Sequence, residues 1–165
     1  MRTRAITTGE YRTLLRTVPQ RTQIALRIMA DTGLRISDVL ELTVGQIART
    51  MHVRESKTGH VRTVHLTPRT LAACRAYAAR RPAAARLIPH DRSTIYRDIR
   101  RAADRRKWEH VSAHSLRKYY AQRYCRRHGL AATQAELQHR DTITTLIYVV
   151  DRDRLEDMIH GYSTG

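Results

Sequence analysis

The apolar positions of this chain follow two rhythms. Across residues 9–18, Tyr11, Leu14, Leu15 and Val18 recur at three- and four-residue intervals, the spacing of one helical face, and Thr8 stands where an N-cap belongs. Pro19 punctuates. Residues 21–32 carry Ile24, Leu26, Ile28 and Met29 and predict a second amphipathic helix, with Gly33 just past its end. Ser37 is placed to cap a short helix through Val39, Leu40, Glu41 and Leu42. The rhythm then shortens to two. Residues 51–54 and 61–66 alternate and are rich in β-branched side chains on either side of Ser56-Lys57-Thr58-Gly59, which predicts a hairpin with Lys57 near its tip. Residues 44–48 offer a third strand. From Pro68 the helical spacing returns, over 68–80, 93–107, 113–128, 131–138 and 141 to about 159, with Pro82 and residues 87–92 separating the first two. No internal repeat, low-complexity tract or interdomain linker interrupts this order. The expected fold is α+β, mostly α-helical, with one small antiparallel β-sheet. At 165 residues the chain suits one domain over 1–165 with a single core.

Charge narrows the partners. Thirty-one Lys+Arg against 15 Asp+Glu give a formal net charge of +16, which favours polyanions. Only Lys57, Lys107 and Lys118 are lysines, so the basic character is arginine, whose planar fork grips phosphate through two parallel hydrogen bonds. A coding bias toward Arg and Ala accounts for part of this excess. Cys74 and Cys125 form no Cys-x-x-Cys pair and read as small buried residues in a reducing cytosol. The basic N-terminus lacks an apolar signal region, and no apolar run approaches membrane length. A soluble, cytoplasmic protein without membrane contact is expected.

Three islands carry candidate chemistry: Thr32-Gly33-Leu34-Arg35-Ile36-Ser37-Asp38-Val39-Leu40-Glu41-Leu42, then His114-Ser115-Leu116-Arg117, then His139 followed by Thr144-Thr145-Leu146-Ile147-Tyr148. Each is weak alone. One arginine among so many is ordinarily a surface charge, His-x-x-Arg strings are common, and Lys-Thr-Gly is ordinary turn chemistry. Tyr148 on a stripe with Ile143, Leu146 and Ile147 reads equally well as core. Together, however, the islands supply two arginines, two histidines and a hydroxyl nucleophile. A phosphodiester attacked in line gains charge on its non-bridging oxygens, and without a metal that charge needs arginines and hydrogen-bond donors. His114 and Arg117, three apart, share a helical face. Tyrosine, with a pKa of about 10, needs cations and a base to attack at neutral pH. Tyr119, Tyr120 and Tyr124 read as packing residues, and Tyr162 lacks a comparable context.

In this order the islands resemble the catalytic domain of the tyrosine recombinases, the phage-integrase family, over nearly the whole chain. The resemblance implies that Arg35 and Arg117 bind the scissile phosphate, and that His114 assists proton transfer with His139 as the second histidine. It makes Lys57 the general acid for the departing 5′-oxygen and Tyr148 the nucleophile. Asp38 and Glu41 become supporting residues that orient the arginine and cap the local helix. Gln138 departs from the Leu-Gly-His string common in the family. The implied activity is site-specific cleavage and rejoining of double-stranded DNA through a 3′-phosphotyrosyl intermediate, with no cofactor and no metal. The implied assembly is a tetramer on paired DNA sites, with a tail of about residues 151–165 exchanged between subunits. The family's N-terminal core-binding domain is expected to be absent. The rivals are a type IB topoisomerase-like relaxase and a catalytically silent DNA-binding domain; both histidines and the Thr-Thr-x-x-Tyr box favour the recombinase. His110 and His114, four apart, lack the further ligands of a zinc site.

Overall fold

The computed structural model describes residues 3–137 and Thr145. Its elements are α1 (Thr8–Thr17), α2 (Gln20–Thr32), α3 (Ile36–Glu41), β1 (Thr50–Arg54), β2 (Val61–His65), α4 (Pro68–Ala78), α5 (Arg92–Asp104) and α6 (Ala113–Leu137). The helix expected from Asp141 lies outside the described residues.

Helix ends follow local hydrogen-bond chemistry. Thr7, rather than Thr8, caps α1: its Oγ1 accepts from the Glu10 amide at 3.1 Å while the Glu10 carboxylate accepts from the Thr7 amide at 2.8 Å. That reciprocal box satisfies two otherwise orphaned donors and moves the start of the helix by one residue. Likewise α3 starts at Ile36 with Arg35 at the N-cap position, so Ser37 falls inside the first turn instead of capping it. Asp91 caps α5, its Oδ1 accepting from the Thr94 amide at 2.8 Å.

The central element is α2, which packs against α1, α3, α4, α5, α6 and β2. It buries Ile24, Ala25, Leu26, Ile28 and Met29, which join Leu14, Leu34, Leu87, Ile95 and Leu116 in one continuous core. Each large aliphatic side chain so buried contributes roughly 1.5–3 kcal/mol. Gly33 ends α2 in the left-handed conformation, φ +66°, and its carbonyl faces α6. A Cβ there would lie 2.3 Å from Cδ1 of Tyr120, so backbone conformation and close helix approach both require glycine.

The expected hairpin forms, with Met51 opposite Val64 and Val53 opposite Arg62. The expected third strand does not. Val44–Gln46 is instead a 3₁₀ turn, since the Thr43 amide donates to Gln46 Oε1 at 2.8 Å and the Gly45 amide to the Ala83 carbonyl at 2.8 Å. Those bonds take up donors that a ladder would need, and the sheet-like pairing left nearby is one isolated bridge, Thr43 to Arg86. The two helices expected over 113–138 form the two limbs of α6, parted at Gly129 (φ 82°, ψ 173°), and Thr133 Oγ1 donates to the Gly129 carbonyl at 2.7 Å at the start of the second limb. Cys74 is buried, which pushes its thiol up to about 11, whereas Cys125 is only half-buried. No described helix is long and apolar enough to cross a membrane.

Candidate active site

Period-two alternation on the hairpin places two charged residues among apolar ones. Met51 and Val53 face inward from β1, and Glu55 continues that phase; Arg62, Val64 and Leu66 share the inward phase of the other arm. Glu55 is 0% exposed. Its Oε2 accepts from Arg35 Nη1 at 2.7 Å, and its Oε1 accepts from Arg62 Nη1 at 3.0 Å. Arg117 Nη1 lies 3.6 Å from the same Oε1. Burial alone would raise the carboxyl pKa, but hydrogen bonds from Arg62 and Arg35 and the charge of Arg117 outweigh it and hold the group below the usual carboxylate range. Arg62 further donates to the Thr32 carbonyl at 3.0 Å and pairs with Glu136.

Arg35 sits at the start of α3, immediately beyond the rigid Gly33 bend, with its side chain 23% exposed. Arg117 enters from α6 and is 1% exposed; it donates to the carbonyls of Gly33 at 2.6 Å and Leu137 at 3.1 Å. Thus the two arginines expected from separate islands meet across Gly33 and Glu55. Lys57 is exposed in the hairpin turn, whose stem is closed by the Glu55 amide donating to the His60 carbonyl at 2.9 Å and the Gly59 amide to the Glu55 carbonyl at 2.8 Å.

His114 reaches solvent from the first turn of α6. Partial burial, then the positive charges of Arg117, Lys118, Arg35 and Lys57, push its pKa down to about 4. Four of the expected site residues therefore share one electrostatic neighbourhood, and at neutral pH the imidazole is uncharged and able to accept a proton.

Asp38 and Glu41 act elsewhere than on Arg35. Asp38 Oδ1 accepts from the Ser56 amide at 2.9 Å and from Ser56 Oγ at 2.6 Å, which ties α3 to the residue beside Lys57. Glu41 pairs with Arg86 at 2.8 Å on the surface. The carboxylate that orients Arg35 is Glu55. Sequence reading passed over Glu55, Arg62 and Glu136, although two acid–base partners sat on the apolar phase of the hairpin and signalled a buried ion pair.

The tyrosines of α6 pack, as expected. Tyr119 stacks on Tyr11 with ring centroids 5.2 Å apart, and Tyr120 donates its hydroxyl to Glu136 at 2.8 Å. Burial and the Glu136 charge push the Tyr120 phenol well above its ordinary pKa, which makes it a poor nucleophile. His139 and Tyr148 lie outside the described residues. Among the described residues no group of three or more His, Cys, Asp and Glu could hold a metal ion, and His110 precedes α6 in a left-handed conformation (φ 58°).

A family model described as the phage integrase family matches residues 4–154. The tyrosine recombinase XerA of Saccharolobus solfataricus is 29% identical over 130 residues, which cover 76% of this chain and 44% of that protein. The chain therefore spans less than half the length of this curated relative. Among solved structures, a XerA recombinase superposes with a TM-score of 0.73 at 21% identity, covering 98% of this chain and 66% of the other. A lambda integrase tetramer bound to a Holliday junction gives 0.71 at 21% identity, covering 92% and 49%. At these identities the structures establish a shared fold.

Proposed function

The chain belongs to the phage integrase family, and we propose that it is a site-specific DNA recombinase working through a 3′-phosphotyrosyl intermediate. The observation that carries this reading is the meeting of Arg35 and Arg117 at Glu55, with Lys57 on the turn that Glu55 closes and His114 within reach of the charge of all three. Such a site is positively charged, contains an uncharged base, and needs no metal to stabilise a phosphorane-like state.

In the proposed reaction the Tyr148 oxygen forms a bond to the scissile phosphorus as the bond to the 5′-oxygen breaks. The tyrosine proton passes to a base of the site, and the departing oxygen takes a proton from Lys57, leaving a 5′-hydroxyl. Arg35 offers its exposed edge to a non-bridging oxygen. Arg117, held by two backbone carbonyls, supplies positive charge from beneath. A second 5′-hydroxyl then attacks the phosphotyrosine and restores the phosphodiester. Bond energy is conserved in the covalent link, so neither ATP nor a metal enters the balance. Double-stranded DNA is the proposed partner, with a tetramer on paired sites and cytoplasmic residence at the nucleoid.

The test is incubation with nicked suicide DNA carrying candidate attachment sites, followed by a denaturing gel. The expected result is a covalent protein–DNA band that disappears in Tyr148→Phe and persists in Tyr162→Phe. An undiminished band in Tyr148→Phe overturns the nucleophile, and a relaxed plasmid without strand exchange points to a topoisomerase instead.

A further inference from the structure

We propose that Glu55 is a positioning residue that sets the arginines of the site, and the turn bearing Lys57, in one fixed relation. This rests on the recombinase reading for its consequence, though its geometry stands apart from it. Glu55 is fully buried, yet its two carboxylate oxygens are divided among partners from four segments. Oε2 accepts from Arg35 at the head of α3 and from Thr58 Oγ1 at 3.3 Å, one residue beyond Lys57. Oε1 accepts from Arg62 on β2 and lies within ion-pair reach of Arg117 on α6. Its own amide and carbonyl close the stem of the Lys57 turn.

Three guanidinium groups converging in a buried space repel one another unless a carboxylate lies between them. Glu55 supplies that charge at their meeting point, with Glu136 pairing Arg62 on its far side. Among the described residues the bond from Arg35 to Glu55 engages Nη1, while the side chain keeps an exposed edge. A guanidinium anchored on one edge has its plane fixed, and so presents the remaining donors in a set direction. Displacement of such a group by about 1 Å is enough to cost roughly 100-fold in rate. Asp38 and Glu41, the acidic residues within the Arg35 island, do not serve this purpose, because Asp38 bonds Ser56 and Glu41 pairs with Arg86.

The test compares Glu55→Gln and Glu55→Asp in the full chain. Gln keeps the shape but turns one acceptor into an NH₂ that faces arginine donors and removes the charge; Asp keeps the charge but withdraws it by one methylene. Three quantities are read: DNA affinity by anisotropy, single-turnover adduct formation at saturating suicide DNA, and side-chain ¹⁵N NMR of the arginines in the free protein. The expected result for Glu55→Gln is near wild-type affinity, an adduct rate lower by about 100-fold, and loss of the hindered-rotation signature of Arg35. Glu55→Asp should recover part of both the rate and the NMR signature. Cleavage in Glu55→Gln at the wild-type rate or faster overturns the proposal, as does an unchanged Arg35 signal. If Glu55→Gln does not fold, Glu55→Asp decides: a wild-type rate with a displaced Arg35 signal overturns positioning. If the wild-type chain forms no adduct, the recombinase reading fails, while the arginine NMR still accepts or rejects Glu55 as the anchor.

Discussion

Arg117 donates to the carbonyl of Gly33 across 84 positions of sequence, at 2.6 Å. That bond adds to the packing of Tyr120 against Gly33 where the end of α2 meets α6, and the two arginine islands lie beside each other there. It also makes the Gly33 bend a structural part of the site, since Arg35 leaves the chain two residues later.

Gly33→Ala should therefore cost more than an ordinary helix-end change. The added methyl meets the Tyr120 ring and forces a positive φ on a residue with a Cβ. The two penalties together amount to about 2–4 kcal/mol. Urea unfolding should show the loss as a lower midpoint at unchanged slope.

Lysine should separate the roles of the two arginines. At 35 it keeps the charge but loses the fork, so adduct formation should fall about 10²–10³-fold with stability little changed. At 117 it also abandons two carbonyls in buried surroundings, Gly33 and Leu137, and stability should drop by about 1–3 kcal/mol as well. Thermal melts and single-turnover cleavage measured on both variants check the split; equal behaviour would count against it.

Lys57 is exposed on its turn, so Lys57→Ala should leave stability within about 0.5 kcal/mol of wild type. Cleavage should fall, and a substrate with a 5′-bridging phosphorothiolate should restore it, because the sulfur leaves without an acid. Absence of selective rescue would reduce Lys57 to a DNA contact.

The pH response follows from two depressed pKa values. His114 titrates near 4 in the folded protein and near 6.5 when unfolded, so the unfolded chain binds more protons between those values. Stability should accordingly fall as pH drops from about 6.5 toward 4, on account of His114. Glu55, also depressed, adds to the loss as pH falls below the usual carboxylate range. NMR should find the His114 ring neutral at pH 6, and its pKa should rise when a DNA phosphate screens the surrounding cations. A His114 ring that titrates at 6.5 in the free protein would contradict this electrostatic picture.

Local pattern by itself determined the described helices and the hairpin, because three- and two-residue periodicities are read within a few neighbouring positions, whereas the arginine, histidine and lysine candidates came from the order of the motifs and the resemblance it carries. It also marked Gly33, whose place past an apolar helix asks for a left-handed residue. Pattern failed where distant groups compete for the same backbone. Residues 44–46 had the look of a strand until the Ala83 carbonyl claimed the Gly45 amide. Asp38 stood beside Arg35 in sequence, yet it bonds Ser56, while Arg35 takes Glu55, 20 positions away. Only tertiary structure decided that exchange. In a buried space each carboxylate goes to the donor whose bond it can complete without water, and that donor is set by how α3, the hairpin and α6 meet rather than by order along the chain.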